Sequence, residues 1–185
     1  MFIIFSGPSG CGKNTIMGEL KKIRPNLKYL EHSSATTRPE RESDKQDKGY
    51  VFLSREEFEK AIKAGKLYEY EEVHGNYYGT ILEKLEMASK SEFDYMKDVE
   101  VKGNMSLKRF FEGRCPRVSI FIDVPDNILR KRLRRRGESE ESIKKRLSRG
   151  EMERSYKGEY DLVVSNIDLM ETVHKINDFL NSVSK

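Results

Sequence analysis

The sequence predicts an α/β domain: a parallel sheet covered by helices on both faces, with polar inserts beside the sheet's carboxyl edge. Three observations carry that expectation. Strand-like segments at Phe2–Ser6, Phe93–Val99, Arg117–Val124 and Asp161–Ser165 alternate with segments of helical periodicity, the pattern of a parallel sheet buried on both sides. The first run leads through a glycine-rich turn into a helix, "FIIFSGPSGCGKNT". The pieces around 34–80 and 134–150 break the alternation, which places them as inserts at the edge where such sheets bind ligands.

Each element has a local cause. Phe2–Ser6 is a continuous apolar run stopped by Gly7-Pro8, a short buried strand. Thr15–Ile23 follows as a helix, with Ile16, Leu20 and Ile23 on one face and Pro25 just past its end. Tyr29–Ser33 reads as a second strand, Arg38–Lys48 as a polar, turn-rich stretch and Tyr50–Leu53 as a strand. Ser54-Arg55-Glu56-Glu57 is a capping box before Phe58 and Ile62, and Gly65 ends that helix. Tyr68–Val73 and Asn76–Gly79 are strands around a turn at His74-Gly75, to which no chemistry is assigned; Thr80–Lys90 is helical. After the strand Phe93–Val99 comes a helix near Asn104–Phe111. Val118, Ile120, Phe121 and Ile122 make Arg117–Val124 a buried strand, closed by Pro125. Asp126 caps a helix to Arg136, Gly137 breaks it, and Ser139 caps the next, with Glu140 and Glu141 suiting its dipole. Leu169–Val183 is a closing amphipathic helix.

The whole chain sets bounds. Its 185 residues fit one compact domain with small inserts. No stretch approaches the roughly 20 apolar residues of a membrane span, and strand-like residues begin at Phe2, so neither a membrane partner nor a targeting peptide is expected. Cys11 and Cys115 make no disulfide framework, which points to a reducing cytoplasm. With 35 basic against 31 acidic residues the net charge is +4, too small to argue for nucleic acid. Basic residues crowd between Arg130 and Arg149, acids between Glu69 and Glu72.

Five clusters carry chemistry. Gly7-x-x-x-x-Gly12-Lys13 fits a phosphate-binding loop: Gly7, Gly10 and Gly12 let backbone N–H groups close on phosphate oxygens, and Lys13 adds a mobile charge. The usual hydroxyl after the lysine is absent; Asn14 stands there and Thr15 follows. In "SSATTRPERESDKQDKGYVF", Arg38 and Arg41 are two forks able to grip a phosphate, with Tyr50 as a further donor, although such a loop is ordinarily just solvated. In "LYEYEEVHGNYYGT", Glu69 is an acceptor for a group with adjacent N–H donors, which guanine presents and adenine does not. In "MKDVEVKG", Asp98 and Glu100 fall on one side of a strand, placed to hold water on magnesium or accept from a base; ion pairing to lysines is the competing role. In "LRKRLRRRGESEESIKKRLSR", Arg132 and Arg136 share a helix face, as do Arg146 and Arg149, suited to charge on a transferring phosphoryl group. The acids Glu138–Glu141 interrupt what would otherwise be a nucleic-acid stripe.

In this order the segments resemble the guanylate kinase family over nearly the whole chain. "GPSGCGK" resembles its phosphate loop, "SSATTRPER" with "GYVF" its monophosphate segment, and "YEYEEVHGNYYGT" the stretch over guanine; "KDVEVKG" resembles its D-x-D-x-Q-G strand end and "RLRRRGESEESIKKRL" its lid. The resemblance implies a P-loop NTPase three-layer sandwich with a parallel core sheet (1–33, 81–133 and 151–185), a GMP-binding insert (34–80) and a small helical lid (134–150). It implies that Ser34, Glu69, Thr80 and Glu100 recognise guanine, and that Arg38, Arg41, Tyr50 and Tyr78 hold the GMP phosphate. Lys13 and the loop Gly7, Pro8, Ser9, Gly10, Cys11, Gly12, Asn14 and Thr15 would bind ATP phosphates. Thr15 and Asp98, the latter also beside GMP, would lie near Mg²⁺, directly or through water. Arg132, Arg136 and Arg146 would clamp the transferring group, and Asn166 would lie by the adenine.

The implied reaction is ATP:GMP phosphotransfer, with dGMP as an expected second acceptor. Departures from the family pattern are Ser43 and Asp47 for glycines, Glu100 for aspartate, Lys102 for glutamine, and Asn14. A Gly-Lys-Gly-Thr variant of the family gives Thr15 a precedent. Two rivals remain, a non-catalytic phosphopeptide module of the same fold and a P-loop kinase for another small substrate. Oligomeric state is not legible.

Overall fold

A computed structural model describes residues 1–40, 49–73 and 75–183; Arg41, Ser43, Asp47 and His74 lie outside them. In chain order the elements are β1 (Phe2–Ser6), α1 (Lys13–Ile23), β2 (Leu27–Tyr29), β3 (Ser34–Thr36), β4 (Tyr50–Phe52) and α2 (Arg55–Lys63). Then come β5 (Leu67–Val73), β6 (Asn76–Ile81), α3 (Leu82–Ser89), β7 (Asp94–Asp98) and α4 (Val101–Phe111). The chain closes with β8 (Arg117–Asp123), α5 (Asp126–Arg135), α6 (Glu140–Arg154), a 3₁₀ turn at Lys157–Glu159, β9 (Leu162–Ser165) and α7 (Leu169–Val183). Among the described residues no helix is long and apolar enough to cross a membrane.

Two compact units form, one from Met1–Lys28 with Phe93–Lys185 and one from Tyr29–Glu92. The first is built on a five-stranded sheet of order β2-β7-β1-β8-β9, in which β1 runs parallel to β7 and β8, and β8 parallel to β9. Every residue of β1 is buried, as expected of a central strand flanked by helices. Each of Phe2, Ile3, Ile4 and Phe5 contributes about 1.5–3 kcal/mol on burial, so a polar residue at any of these four positions would be costly. Phe2 stacks on Phe111 of α4 at 4.0 Å between ring centroids, and Phe121 meets Val101 and Tyr160. α4 packs on β1 and β8, α1 on β7 and against α7, and α7 on β9. The register sets Phe5 beside Asp98 and Ile120, so the carboxyl ends of β1 and β7 open together where the phosphate loop leaves Ser6.

Three expectations are corrected here. Tyr29–Ser33 is not one strand. β2 stops at Tyr29 and β3 starts at Ser34, because the chain turns between them: His32 takes φ 51° and Ser33 Oγ donates to the Leu30 carbonyl at 2.7 Å. The helix expected near Asn104–Phe111 starts three residues earlier, at Val101, and takes in Gly103, where a Cβ would lie 3.1 Å from Val99 Cβ. Asp126 does not cap α5. Pro125 holds that position, and Asp126, the first helical residue, accepts from Arg154 at 2.6 Å.

The second unit has a four-stranded mixed sheet of order β4-β3-β6-β5: β3 pairs parallel with β4 and antiparallel with β6, and β5 pairs antiparallel with β6. α2 begins at the expected capping box: Ser54 accepts from Glu57 N at 3.2 Å while Glu57 accepts from Ser54 N at 2.7 Å. It covers one face of the sheet. Fully buried Phe58 stacks on Tyr77, and a Cβ on Gly79 would come within 3.0 Å of the Phe58 ring, which explains the glycine.

Candidate active site

In the first unit the site begins with the loop between β1 and α1. Gly7, Gly10 and Gly12 all take positive φ, at 143°, 87° and 99°, which L side chains avoid. Space is as restrictive as conformation: a Cβ on Gly7 would sit 2.1 Å from the Ile122 carbonyl oxygen. Gly12 is the N-cap of α1, and neither a side-chain cap nor an acidic residue occupies the helix's first turn. The amides at that end are therefore left for an anion, with the helix dipole behind them. Lys13 Nζ donates to the Gly7 carbonyl at 2.7 Å and so lies over its own loop. Asn14 and Thr15 are exposed on the first turn. Burial pushes the Cys11 thiol up, and nearby Lys13 offsets only part of this, so Cys11 is a packed thiol and no nucleophile.

The arginines of this unit are not equivalent. Arg132 donates to the carbonyls of Cys11 (3.1 Å) and Asn166 (2.9 Å), bracing the loop against the end of β9. Asn166 is buried, and its amide donates to Cys11 O at 2.7 Å, so it too supports the loop. Arg146 donates to Ser9 Oγ of the loop and to Glu138. Arg136 is exposed just past α5. Asp98 is the last residue of β7 and exposed, while Glu100 lies beyond the strand in the N-cap position of α4, so the two do not share a strand face as their spacing suggested.

Sequence reasoning missed Glu153. It is 7% exposed, and burial pushes its carboxyl up against the opposing pull of Lys13 and Arg149. It also missed Arg154, which donates to Asp123 at 2.8 Å, to Val124 O at 2.8 Å and to Asp126. On a helix this rich in charge, nothing local separates these residues from a solvated face.

In the second unit the candidate GMP residues form a row. Tyr50 pairs with Ser34, Ser34 with Thr80, and Thr80 with Glu69, one position on each of the four strands. Paired residues share a face, and Tyr78 joins it two residues from Thr80. Tyr77 and Gly79, facing α2, occupy the other side. Arg38 lies over the rings of Tyr50 and Phe52, 5.2 Å from each centroid, and Tyr50 meets Tyr78 edge-on at 6.5 Å. Arginine, two phenols and a serine thus gather toward one end of the row, and a carboxylate stands at the other. Thr80 Oγ1 donates to Glu69 Oε1 at 3.2 Å, which orients that carboxylate.

Glu69 reaches this face through an irregularity. Leu67 pairs with Ile81 and Glu69 with Thr80, so two steps on β5 match one on β6. Without this bulge Leu67 and Glu69 would share a face. With it, Leu67 stays beside Gly79 on the α2 side, where a Cβ on Gly79 would be 3.1 Å from Leu67 Cδ1, and Glu69 turns to the polar row.

Among the described residues no group of three His, Cys, Asp or Glu side chains is set to hold a metal. The donors present beside the loop are hard oxygens, Thr15 hydroxyl and Asp98 carboxylate. That set fits Mg²⁺ carried mainly by substrate phosphates and water.

A phosphate loop joining strand to helix on a parallel sheet, with the guanidinium groups of Arg132 and Arg146 braced on it, defines a P-loop phosphotransferase. A family model described as guanylate kinase matches residues 1–183. The guanylate kinase of Chlorobaculum tepidum is 42% identical over 177 residues, covering 94% of this chain and 88% of that protein. That of Desulfitobacterium hafniense is 40% identical over 183 residues, covering 97% and 88%. The crystal structure of guanylate kinase from Anaplasma phagocytophilum matches with a TM-score of 0.71 at 28% identity, over 98% of this chain and 85% of that one. Shikimate kinase from Aquifex aeolicus shares the fold, with a TM-score of 0.54 at 18% identity over 98% and 97% of the two chains. The chain belongs to the guanylate kinase family.

Proposed function

We propose that the chain transfers the γ-phosphoryl group of ATP to GMP, giving ADP and GDP, and accepts dGMP as well. The reading of the acceptor base rests on the Glu69–Thr80 pair: a carboxylate fixed in orientation suits the adjacent N1–H and 2-amino donors of guanine. Ser34, Thr80 and Glu100 complete the set assigned to the base, and Arg38, Arg41, Tyr50 and Tyr78 that assigned to its phosphate. Segment 34–80 acts as the GMP-binding insert and 134–150 as the lid.

GMP's phosphate is already an anionic nucleophile, so no covalent enzyme intermediate is needed; catalysis is positioning and charge stabilisation. The amides of Gly7–Thr15 and the N-terminus of α1 hold the ATP phosphates. Lys13 leaves the Gly7 carbonyl for the β- and γ-phosphates as they arrive. Arg132, Arg136 and Arg146 offset the repulsion between two anionic substrates and the charge that spreads on the moving group. Asn166, fixed on the loop, also borders the adenine side. Thr15 and Asp98, directly or through water, would hold Mg²⁺ alongside the substrate phosphates, and the bound ion would supply further charge neutralisation. Work in the cytoplasm suits a chain whose two cysteines are both free thiols.

A coupled ADP-release assay across GMP, dGMP, AMP, CMP and UMP tests the proposal. GMP and dGMP are expected to exceed the others by at least about a hundredfold in kcat/KM. Equal turnover of AMP would overturn the guanine assignment.

A further inference from the structure

One face of α6 carries residues 146, 149, 150 and 153, at helical spacing. Arg146 reaches Ser9 of the phosphate loop, and Gly150 lies so close to Pro8 that a Cβ would be 3.2 Å from the proline Cβ. Glu153 is buried at the same end, and its Oε1 accepts from Arg149 Nε at 3.3 Å. The other arm of Arg149 leads elsewhere: Nη2 is 2.5 Å from Glu100 Oε2. Glu100 occupies the N-cap position of α4 without capping it; its carboxylate engages the arginine instead.

We propose that Arg149 is a positioning residue for nucleobase recognition: anchored by Glu153, it holds Glu100 in the orientation that accepts a hydrogen bond from guanine. The inference rests on the assignment of Glu100 to the base. A carboxylate has two oxygens and about four lone-pair sites, so Arg149 on Oε2 leaves Oε1 able to accept. A free glutamate on a surface turn must be immobilised when ligand binds, at a cost in affinity, and the arginine removes that cost beforehand. Glu153 makes the arm stiff, because its neighbours on α6 are docked on the phosphate loop. The same helix thereby touches the loop assigned to ATP and the carboxylate assigned to GMP.

The test is a thermodynamic cycle on the full chain, titrating GMP calorimetrically without ATP into wild type, Arg149→Ala, Arg149→Lys, Glu100→Ala and the Arg149→Ala/Glu100→Ala double variant. Both side chains are more than half exposed, so Arg149→Ala is expected to weaken GMP roughly three- to fivefold. Arg149→Lys recovers part of this, and the loss in Arg149→Ala falls on the KM for GMP more than on kcat or on the KM for ATP. In the Glu100→Ala background the same change costs less than about 1.5-fold. An equal loss in both backgrounds, or unchanged or tighter GMP binding in Arg149→Ala, overturns the inference. Wild-type-like GMP binding by Glu100→Ala removes Glu100 from the base and the inference with it. A wild type that binds no GMP refutes the proposed function instead.

Discussion

Gly12 and Asn166 meet at the start of α1: a Cβ at position 12 would lie 2.5 Å from Asn166 Nδ2, the atom that donates to the Cys11 carbonyl. The last strand of the sheet therefore sets the shape of a loop formed at the first. Gly12→Ala adds a side chain where φ is 99° and no space exists. It is expected to destabilise by about 1–3 kcal/mol, a fall of roughly 2–12 °C in Tm, and to lower kcat/KM for ATP. Thermal denaturation and steady-state kinetics check both; a fully active, equally stable Gly12→Ala protein would show that the loop does not need this geometry.

Lys13→Ala should separate catalysis from folding. The ammonium's sole carbonyl acceptor among the described residues is Gly7 O, within its own loop. We expect kcat to fall by at least about 10²–10³-fold while Tm stays within roughly 5 °C. Near wild-type turnover would remove Lys13 from the phosphate site.

Glu69→Ala is expected to raise the KM for GMP at least about tenfold and leave the KM for ATP unchanged, because the loss of an oriented acceptor leaves base donors unpaired. Thr80→Val, which removes only the bond that orients Glu69, should cost less, roughly threefold. Titration with GMP and with ATP distinguishes the two ligands, and unchanged GMP affinity in Glu69→Ala would take Glu69 out of the base site.

Asp123 supplies a pH-dependent contribution to stability. Burial pushes its carboxyl upward, but hydrogen bonds from Lys157 (2.6 Å) and Arg154 (2.8 Å) outweigh this and hold it below its ordinary value of 3.8. A carboxylate depressed on folding stabilises above its unfolded value and loses that contribution as pH falls through the folded one. Asp123→Asn is thus expected to be less stable than wild type at pH 7, with the gap narrowing below about pH 4. Urea midpoints at pH 7, 5 and 3 measure it; a gap that widens toward acid would contradict the assignment.

What the sequence revealed was mostly local. The β1 run, the glycines before Lys13, the Ser54–Glu57 box and the Ser139 cap each depend on a few adjacent residues, and all stand in the structure as expected. What it hid depends on the fold. Glu153 looks like any acid on a charged helix until α6 docks and buries it. Arg154 becomes a tie between α6, β8 and α5 only when Asp123 and Asp126 come together in space. The side of the sheet on which Glu69 falls was hidden for another reason: period-two counting from Leu67 gives the wrong face once a residue is inserted between pairs.

That insertion has a consequence for how this protein can change over time. Point substitutions at Tyr68 keep the chain in phase and can be sampled one by one. Deleting Tyr68 would leave a regular ladder with Glu69 still opposite Thr80, whereas inserting a residue between Leu67 and Glu69 with the bulge kept would put the new residue opposite Thr80 and turn Glu69 to the side of Gly79 and Phe58. On the proposed role of Glu69, preference for the base is written in a count of residues as much as in their kinds, and an added residue there would abolish it in one step where substitutions could only erode it.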